Sequence, residues 1–384
     1  MQHTDTPASV LTHYGALVQA AMREALDDVA HPPTREGADD FYGIMRYHLG
    51  WADETLRSGG GGSAGSAGSA GSAGGSGKGL RGVLLMLVND ALGGDDARAA
   101  PLAAGIELLH NFSLVHDDIE DGGLTRRHRA TVWSLWGAPR GINVGDGLYA
   151  LAHLALFNSP LRHDAPERFV DIMEQFDRAA LRVCEGQHLD MSFEEADTVS
   201  VDAYLNMIAG KSATLIAAST AIGARAAGAS PAQVASAYDF GRDLGMAFQM
   251  QDDILGIWGD ETVTGKSAVS DIASRKKTLP VLLALAHADP DDRARLHTLY
   301  AHRPDTATSA ASTAGREPHA PLDSMNSTRA IVDLLDRAGA RDRAREYLRR
   351  YRDDALRALR ALGLPATEEE HIGALARLFV ERVA

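Results

Sequence analysis

Asp117, Asp118 and Asp121 close the apolar run GIELLHNFSLVH, and Arg126, Arg127 and Arg129 follow across Gly122 and Gly123. On a helix, positions 117 and 121 lie four apart and 118 and 121 three apart, which gathers the carboxylates on roughly one side. Carboxylates at the end of a buried helix repel one another and are costly to desolvate. A cation is needed, and oxygen-only ligands suit a hard ion; magnesium bridging to a substrate phosphate is the usual arrangement. Arginines directly after the acids would take phosphate oxygens, so the segment reads as a diphosphate site. The alternative is an acidic helix end held in surface ion pairs.

The plan recurs. Asp252 and Asp253 end the apolar stretch GMAFQMQ, and Lys266, Arg275, Lys276 and Lys277 follow. Pro280 opens the next helix, where proline is tolerated. Two acid-ended helices facing each other would hold several magnesium ions against one diphosphate.

These acids need helices to carry them, and the chain supplies helical spacing almost throughout. VLTHYGALVQAAMREALDDV, DAPERFVDIMEQFDRAALRVCEG and ARDRAREYLRRYRDDALRALRALG repeat apolar residues at three and four. Alternating strand patterns are scarce, so the fold class is all-α. Two stretches interrupt it. Residues 58–77 are Gly, Ser and Ala in SAG triplets and read as a flexible linker. Residues 303–324 are rich in Thr, Ala, Ser and Pro and read as a disordered surface loop. The expected organisation is one domain, with 1–57 as its first helical layer and 78–384 as its core.

A formal charge of −14 excludes a general nucleic-acid surface and requires any phosphate site to be built locally. A single cysteine, Cys184, excludes an intrachain disulfide. The start has no signal-peptide pattern and no long unbroken apolar run appears, so the expectation is a cytoplasmic protein without a transmembrane segment.

With both acid motifs and their basic followers in view, the sequence resembles the trans-isoprenyl diphosphate synthases, also called polyprenyl synthetases, from about Lys78 to Leu285. GKGLRG at Gly77–Gly82 is similar to the family's GKRLRP element, CEGQHLD at Cys184–Asp190 to its GQxxD segment, and GKSA at Gly210–Ala213 to its GKTA segment. The resemblance implies a single-domain isoprenoid synthase helical bundle around a central cavity. It implies magnesium, three ions in all, on Asp117, Asp118, Asp121, Asp252 and Asp253. Lys78, Arg81, His110 and Arg127 would bind isopentenyl diphosphate. Arg126, Lys211 and Lys266 would bind the allylic diphosphate, with Ser212 and Lys276 in matching segments and Gln249 near the condensing double bond. A homodimer is also implied.

The sequence departs from the family at several points. Gly79 and Gly82 replace the arginine and proline of GKRLRP, Gly256 stands where a third aspartate is usual, and Arg275 replaces a glycine before Lys276. Weakened metal binding is the expectation from Gly256. Phe112 and Ser113, five and four residues before Asp117, would floor the product tunnel, a pair most similar to geranylgeranyl-type enzymes. The implied activity is head-to-tail condensation of isopentenyl diphosphate with an allylic diphosphate. A class I terpene cyclase, or a non-catalytic regulatory or cargo subunit of the same fold, are the rival readings.

Overall fold

The computed structural model describes residues 7–30, 41–57, 79–259, 270–273, 275–301 and 325–380. The Gly/Ser/Ala tract at 58–77, the loop at 303–324, and the expected ligands Lys78 and Lys266 lie outside the described residues. Among the described residues the chain is helical almost throughout, and its one sheet is a two-stranded hairpin, as the spacing of apolar residues predicts. The chain gathers into two compact units, Met1–Asp177 with Ser219–Val234, and Arg178–Ala218 with Ala235–Ala384.

The first unit opens with α1 (Pro7–Val29), α2 (Phe41–His48), α3 (Leu80–Ala91) and α4 (Asp96–Glu120). Helix α1 buries Val18, Met22 and Leu26 along one face. Trp51, just past α2, is tied to it: Trp51 Nε1 donates to Gln19 Oε1 at 3.0 Å, and the Arg23 guanidinium lies 4.3 Å from the ring. Helix α4 starts where Asp95 accepts from the Ala97 amide at 2.9 Å, which satisfies one of the four orphan donors of a helix start. Its middle is buried on nearly every side, the mark of a central helix. It ends at Gly122, whose φ of 66° is the left-handed conformation that terminates helices.

Strand β1 (Thr125–Arg126) pairs with β2 (Arg129–Ala130) in a tight hairpin. Next come α5 (Val132–Trp136), α6 (Ala138–Phe157), α7 (Leu161–Asp164) and the start of α8 (Pro166–Glu195). Helices α4 and α6 touch backbone to side chain at Gly105, where an added Cβ would stand 1.9 Å from Leu156 Cδ1. A side chain there would force Leu156 to move and would press on the Ala152 carbonyl at 3.0 Å.

The second unit contains the end of α8 and α9 (Val201–Ile208), capped by Ser200, whose hydroxyl accepts from the Ala203 amide at 3.1 Å. Helix α9 runs into a π-helical turn, Ala209–Ala213, and then into the start of α10 (Thr214–Ala227), whose remainder from Ser219 belongs to the first unit; α11 (Pro231–Trp258) belongs to the second unit from Ala235 on. Three glycines pack backbones tightly around that turn. A Cβ on Gly186 would lie 2.1 Å from the Lys211 amide nitrogen, one on Gly210 2.9 Å from the Arg182 carbonyl, and one on Gly245 2.6 Å from Ala213 Cα. Residues Val201–Ala227 are long and apolar enough to cross a membrane by composition, although the sequence reading expected no such segment; 83% of their most apolar 18-residue window is buried inside the protein, as in a core helix. Beyond α11 come α12 (Ser270–Ala273), α13 (Leu279–His287), α14 (Pro290–Ala301), α15 (Met325–Arg337), α16 (Ala340–Ala361) and α17 (Ala366–Val380). Ile257, Ile272, Val281, Leu296, Ile331 and Leu335 form the core they share.

Candidate active site

The first acid motif sits at the C-terminal end of α4, and its three aspartates differ in burial. Asp118 is buried and accepts from Arg126 Nε at 2.8 Å, while Asp117 is half-buried and Asp121 exposed. Asp121 is the C-cap of the helix, still in the right-handed helical region, and its amide donates to the Asp117 carbonyl at 2.8 Å. Burial pushes the Asp118 carboxyl up to about 6, against the pull of Arg126 and with the help of Asp121.

The hairpin delivers the arginines. Arg127 and His128 take positive φ values of 52° and 61°, a turn that non-glycine residues adopt at a cost of roughly 1 kcal/mol each. Strain of this kind concentrates at functional sites. Arg126 reaches Asp118. Arg129 instead donates to the carbonyls of Tyr47 at 3.0 Å and Ala52 at 2.8 Å and lies 4.1 Å from the Tyr47 ring centroid, so it fastens the hairpin to α2. Burial and the neighbouring Arg126 lower the Arg127 guanidinium, with Glu107 and Asp118 opposing. His110 is pushed well below the ordinary histidine value by burial, then by Arg81, Arg127 and Arg126. Arg81, His110, Arg126 and Arg127 are thus brought together electrostatically.

The altered GKGLRG element has a structural cause. Glu107, buried on α4, accepts from the Gly82 amide at 2.8 Å and so satisfies a donor in the first turn of α3. A proline at 82 has no such donor, and a side chain there would meet Val18 at 2.9 Å. Gly79 has a φ of 57° with open space around its missing Cβ.

In the second unit the GKSA segment is the π turn itself. Lys211 Nζ pairs with Asp190 at 2.5 Å, and Ser212 Oγ donates to Gln249 Oε1 at 2.7 Å. Gln249 Nε2 donates to Asp253 at 3.0 Å, the Leu279 amide donates to it at 2.9 Å, and the Tyr204 hydroxyl donates to it as well. Asp253 is therefore enclosed by three donors, and burial still pushes it up to about 7. In this structure both its oxygens accept from protein donors. Asp118 is committed in the same manner to Arg126. In both motifs the second aspartate is internal, and Asp117, Asp121 and Asp252 are the less buried acids.

Gly256 has a neighbour that the sequence does not announce. Asp271 occupies the space of its missing side chain, with Oδ2 2.1 Å from where a Cβ would be. Lys276 is exposed, whereas Lys277 turns inward and donates to the carbonyls of Phe193 and, at 2.5 Å, Ala196 near the end of α8. Arg275, at the family's glycine, has a φ of 54°. The site residues that the sequence reading passed over are Asp190, Tyr204, Glu107 and His48. Asp190 lies in the CEGQHLD segment, which was in view; the other three carry no local signal. Among the described residues no three His, Cys, Asp or Glu side chains converge to hold an ion by themselves.

Below the first motif, Phe112 stands 5.2 Å from the Tyr149 ring and 4.8 Å from His116. Tyr149 in turn contacts His153, which contacts Phe176. Ser113 donates to the His110 carbonyl at 2.9 Å.

An all-α fold with two acid-ended helices, each accompanied by cationic side chains, is the arrangement of the isoprenoid synthase class. Residues 71–314 match the polyprenyl synthetase family, and the chain belongs to it. It is 34% identical over 357 residues to a (2E,6E)-farnesyl diphosphate synthase of Mycobacterium bovis, covering 92% of this chain and 90% of that one. It is 43% identical over 279 residues to a geranylgeranyl diphosphate synthase of Mycobacterium tuberculosis, covering 72% and 74%. The crystal structure of a polyprenyl synthetase from Streptomyces coelicolor superposes with a TM-score of 0.80 at 31% identity, covering 98% of this chain and all of the other.

Proposed function

We propose that the protein is a trans-prenyl diphosphate synthase that condenses isopentenyl diphosphate with an allylic diphosphate, giving geranylgeranyl diphosphate. The observation that carries this reading is the pair of guanidinium groups, Arg81 and Arg127, gathered around the buried His110 beside the first acid motif. A terpene cyclase has no second diphosphate to hold and no use for it. A non-catalytic subunit has no use for the strained turn that presents Arg127. The donor set fits magnesium: one or two carboxylates on each motif, Asp117 with Asp121 and Asp252, leave coordination positions for diphosphate oxygens and water. Three ions are expected. Asp117, Asp121 and Asp252 would hold the ions, whose positive charge would offset that of the diphosphate leaving group.

The protein's own groups do the rest. Arg126 and Lys211 bind the allylic diphosphate and stabilise the charge that develops as its C–O bond breaks. Arg81, His110 and Arg127 hold isopentenyl diphosphate so that its double bond attacks the allylic carbon. Gln249, oriented by Ser212 and Asp253, lies at the second motif. Asp118 and Asp253 position their neighbours. Phe112 backed by Tyr149 is the proposed tunnel floor, and support for the C20 product rests on Phe112 and Ser113.

The test is a product assay with magnesium, isopentenyl diphosphate and, separately, C5, C10 and C15 allylic diphosphates, with dephosphorylated products identified by mass. A linear C20 alcohol that disappears in EDTA is expected. A linear C15 end product would overturn the chain length alone. A cyclic hydrocarbon formed without isopentenyl diphosphate would overturn the synthase.

A further inference from the structure

The hairpin pocket contains a histidine to which the chemistry above gives no part. His48, the last residue of α2, lines it together with Asn111, Asp118, Arg126, Arg127 and Arg129. Its Nε2 is buried and has no hydrogen-bond partner among the described residues. A buried polar atom left in that state destabilises a fold and requires an explanation. The other side of the ring is engaged by the Asn111 side chain. Asn111 Nδ2 donates to the Glu107 carbonyl at 2.7 Å, which holds Asn111 beside the ring. Nε2 is thus left without a partner among cationic neighbours. Burial, then Arg126 and Arg127, push His48 down to about 3. The arrangement is built for an anion that is absent from the protein itself.

We propose that His48 is a direct ligand of the isopentenyl diphosphate headgroup, held by Asn111 so that Nε2 meets a diphosphate oxygen beside Arg127. The proposal rests on the synthase reading above and adds a residue to it. The entering diphosphate brings enough negative charge to reverse the field of Arg126, Arg127 and Arg129. The ring then takes one proton from solvent and donates an N–H to the diphosphate oxygen. Tyr47, Asp118, Arg126, Arg127 and Arg129 are the other titratable and charged groups lining this pocket, and His110 lies close enough to feel His48, which is why the test varies His48 itself.

Isothermal titration calorimetry in EDTA tests the contact, with inorganic diphosphate and isopentenyl diphosphate as probes, in two buffers of different ionisation enthalpy. His48→Ala is expected to weaken both affinities about tenfold, the scale of one hydrogen bond to a charged group. His48→Gln, close in size and with an unchanged melting temperature, should lose less affinity but all of the proton uptake. In turnover, KM for isopentenyl diphosphate should rise about tenfold and KM for the allylic substrate less than twofold. Unchanged affinity in both variants, uptake that persists in His48→Gln, or a wild type that binds neither probe would overturn the proposal. A wild type that binds inorganic diphosphate in a His48-dependent way but never extends an allylic primer would leave the anion contact standing and remove the synthase reading.

Discussion

Asp253 accepts from Tyr204, Gln249 and the Leu279 amide, yet burial pushes it up to about 7. Its folded value lies above the ordinary 3.8. The stability linked to it is therefore complete below that ordinary value and is lost as pH rises through about 7. Urea unfolding in EDTA should show wild-type stability falling between pH 5 and 8.5 by on the order of 2 kcal/mol, a slope that Asp253→Asn flattens. Gly256 makes the opposite point about restoring a family residue. Since Asp271 fills the space beside it, Gly256→Asp should lower stability by about 2 kcal/mol through overpacking and bring no gain in magnesium-dependent turnover. Thermal melting and a magnesium titration of activity check both halves. The aspartates were legible in the sequence because their types and spacing are local facts. Which aspartate of each pair turns inward was not, because the decision lies with distant groups such as Tyr204 and the Leu279 amide.

At the scale of elements, the helices could be read from apolar spacing, and the GKSA segment from resemblance. The π turn that GKSA forms was invisible, since a π turn inside a helix leaves no mark on apolar periodicity. Its causes are contacts between backbones: Gly186 and Gly245 let α8 and α11 approach the turn from different sides. Gly186→Ala would put a Cβ 2.1 Å from the Lys211 nitrogen, against backbone that has no flexible end to yield. The expected result is a loss of about 2 kcal/mol or more in unfolding free energy. A rise in KM for the allylic substrate should accompany it, as Lys211 leaves its place by Asp190. Unchanged kinetics in a folded Gly186→Ala protein would show that the turn does not position Lys211. The hairpin was missed for a different reason: Arg127-His128 is poor chemistry for a turn with two positive φ values.

The whole molecule exposes apolar side chains on α6 and α8, among them Leu154, Phe157 and Val170, the last 62% exposed. We propose a homodimer, consistent with the commonest symmetry of soluble oligomers. Light scattering behind size exclusion should give twice the 40.8 kDa chain mass, and a mass equal to one chain at micromolar concentration would exclude it. The all-α class was legible at this scale because nearly every segment agreed on one period. The division into two compact units was not, since long helices such as α8 pass from one unit to the next with no break in sequence pattern.

The π turn at Ala209–Ala213 has a consequence for insertions and deletions. A π turn is a helix with one residue too many, so removing one residue from 209–213 restores ordinary i→i+4 bonding at that point. In a deletion scan of this region, such a shortened chain would keep its helix yet turn Lys211 away from Asp190. Length at this one position would then be a heritable switch between a catalyst and a folded, silent copy of it.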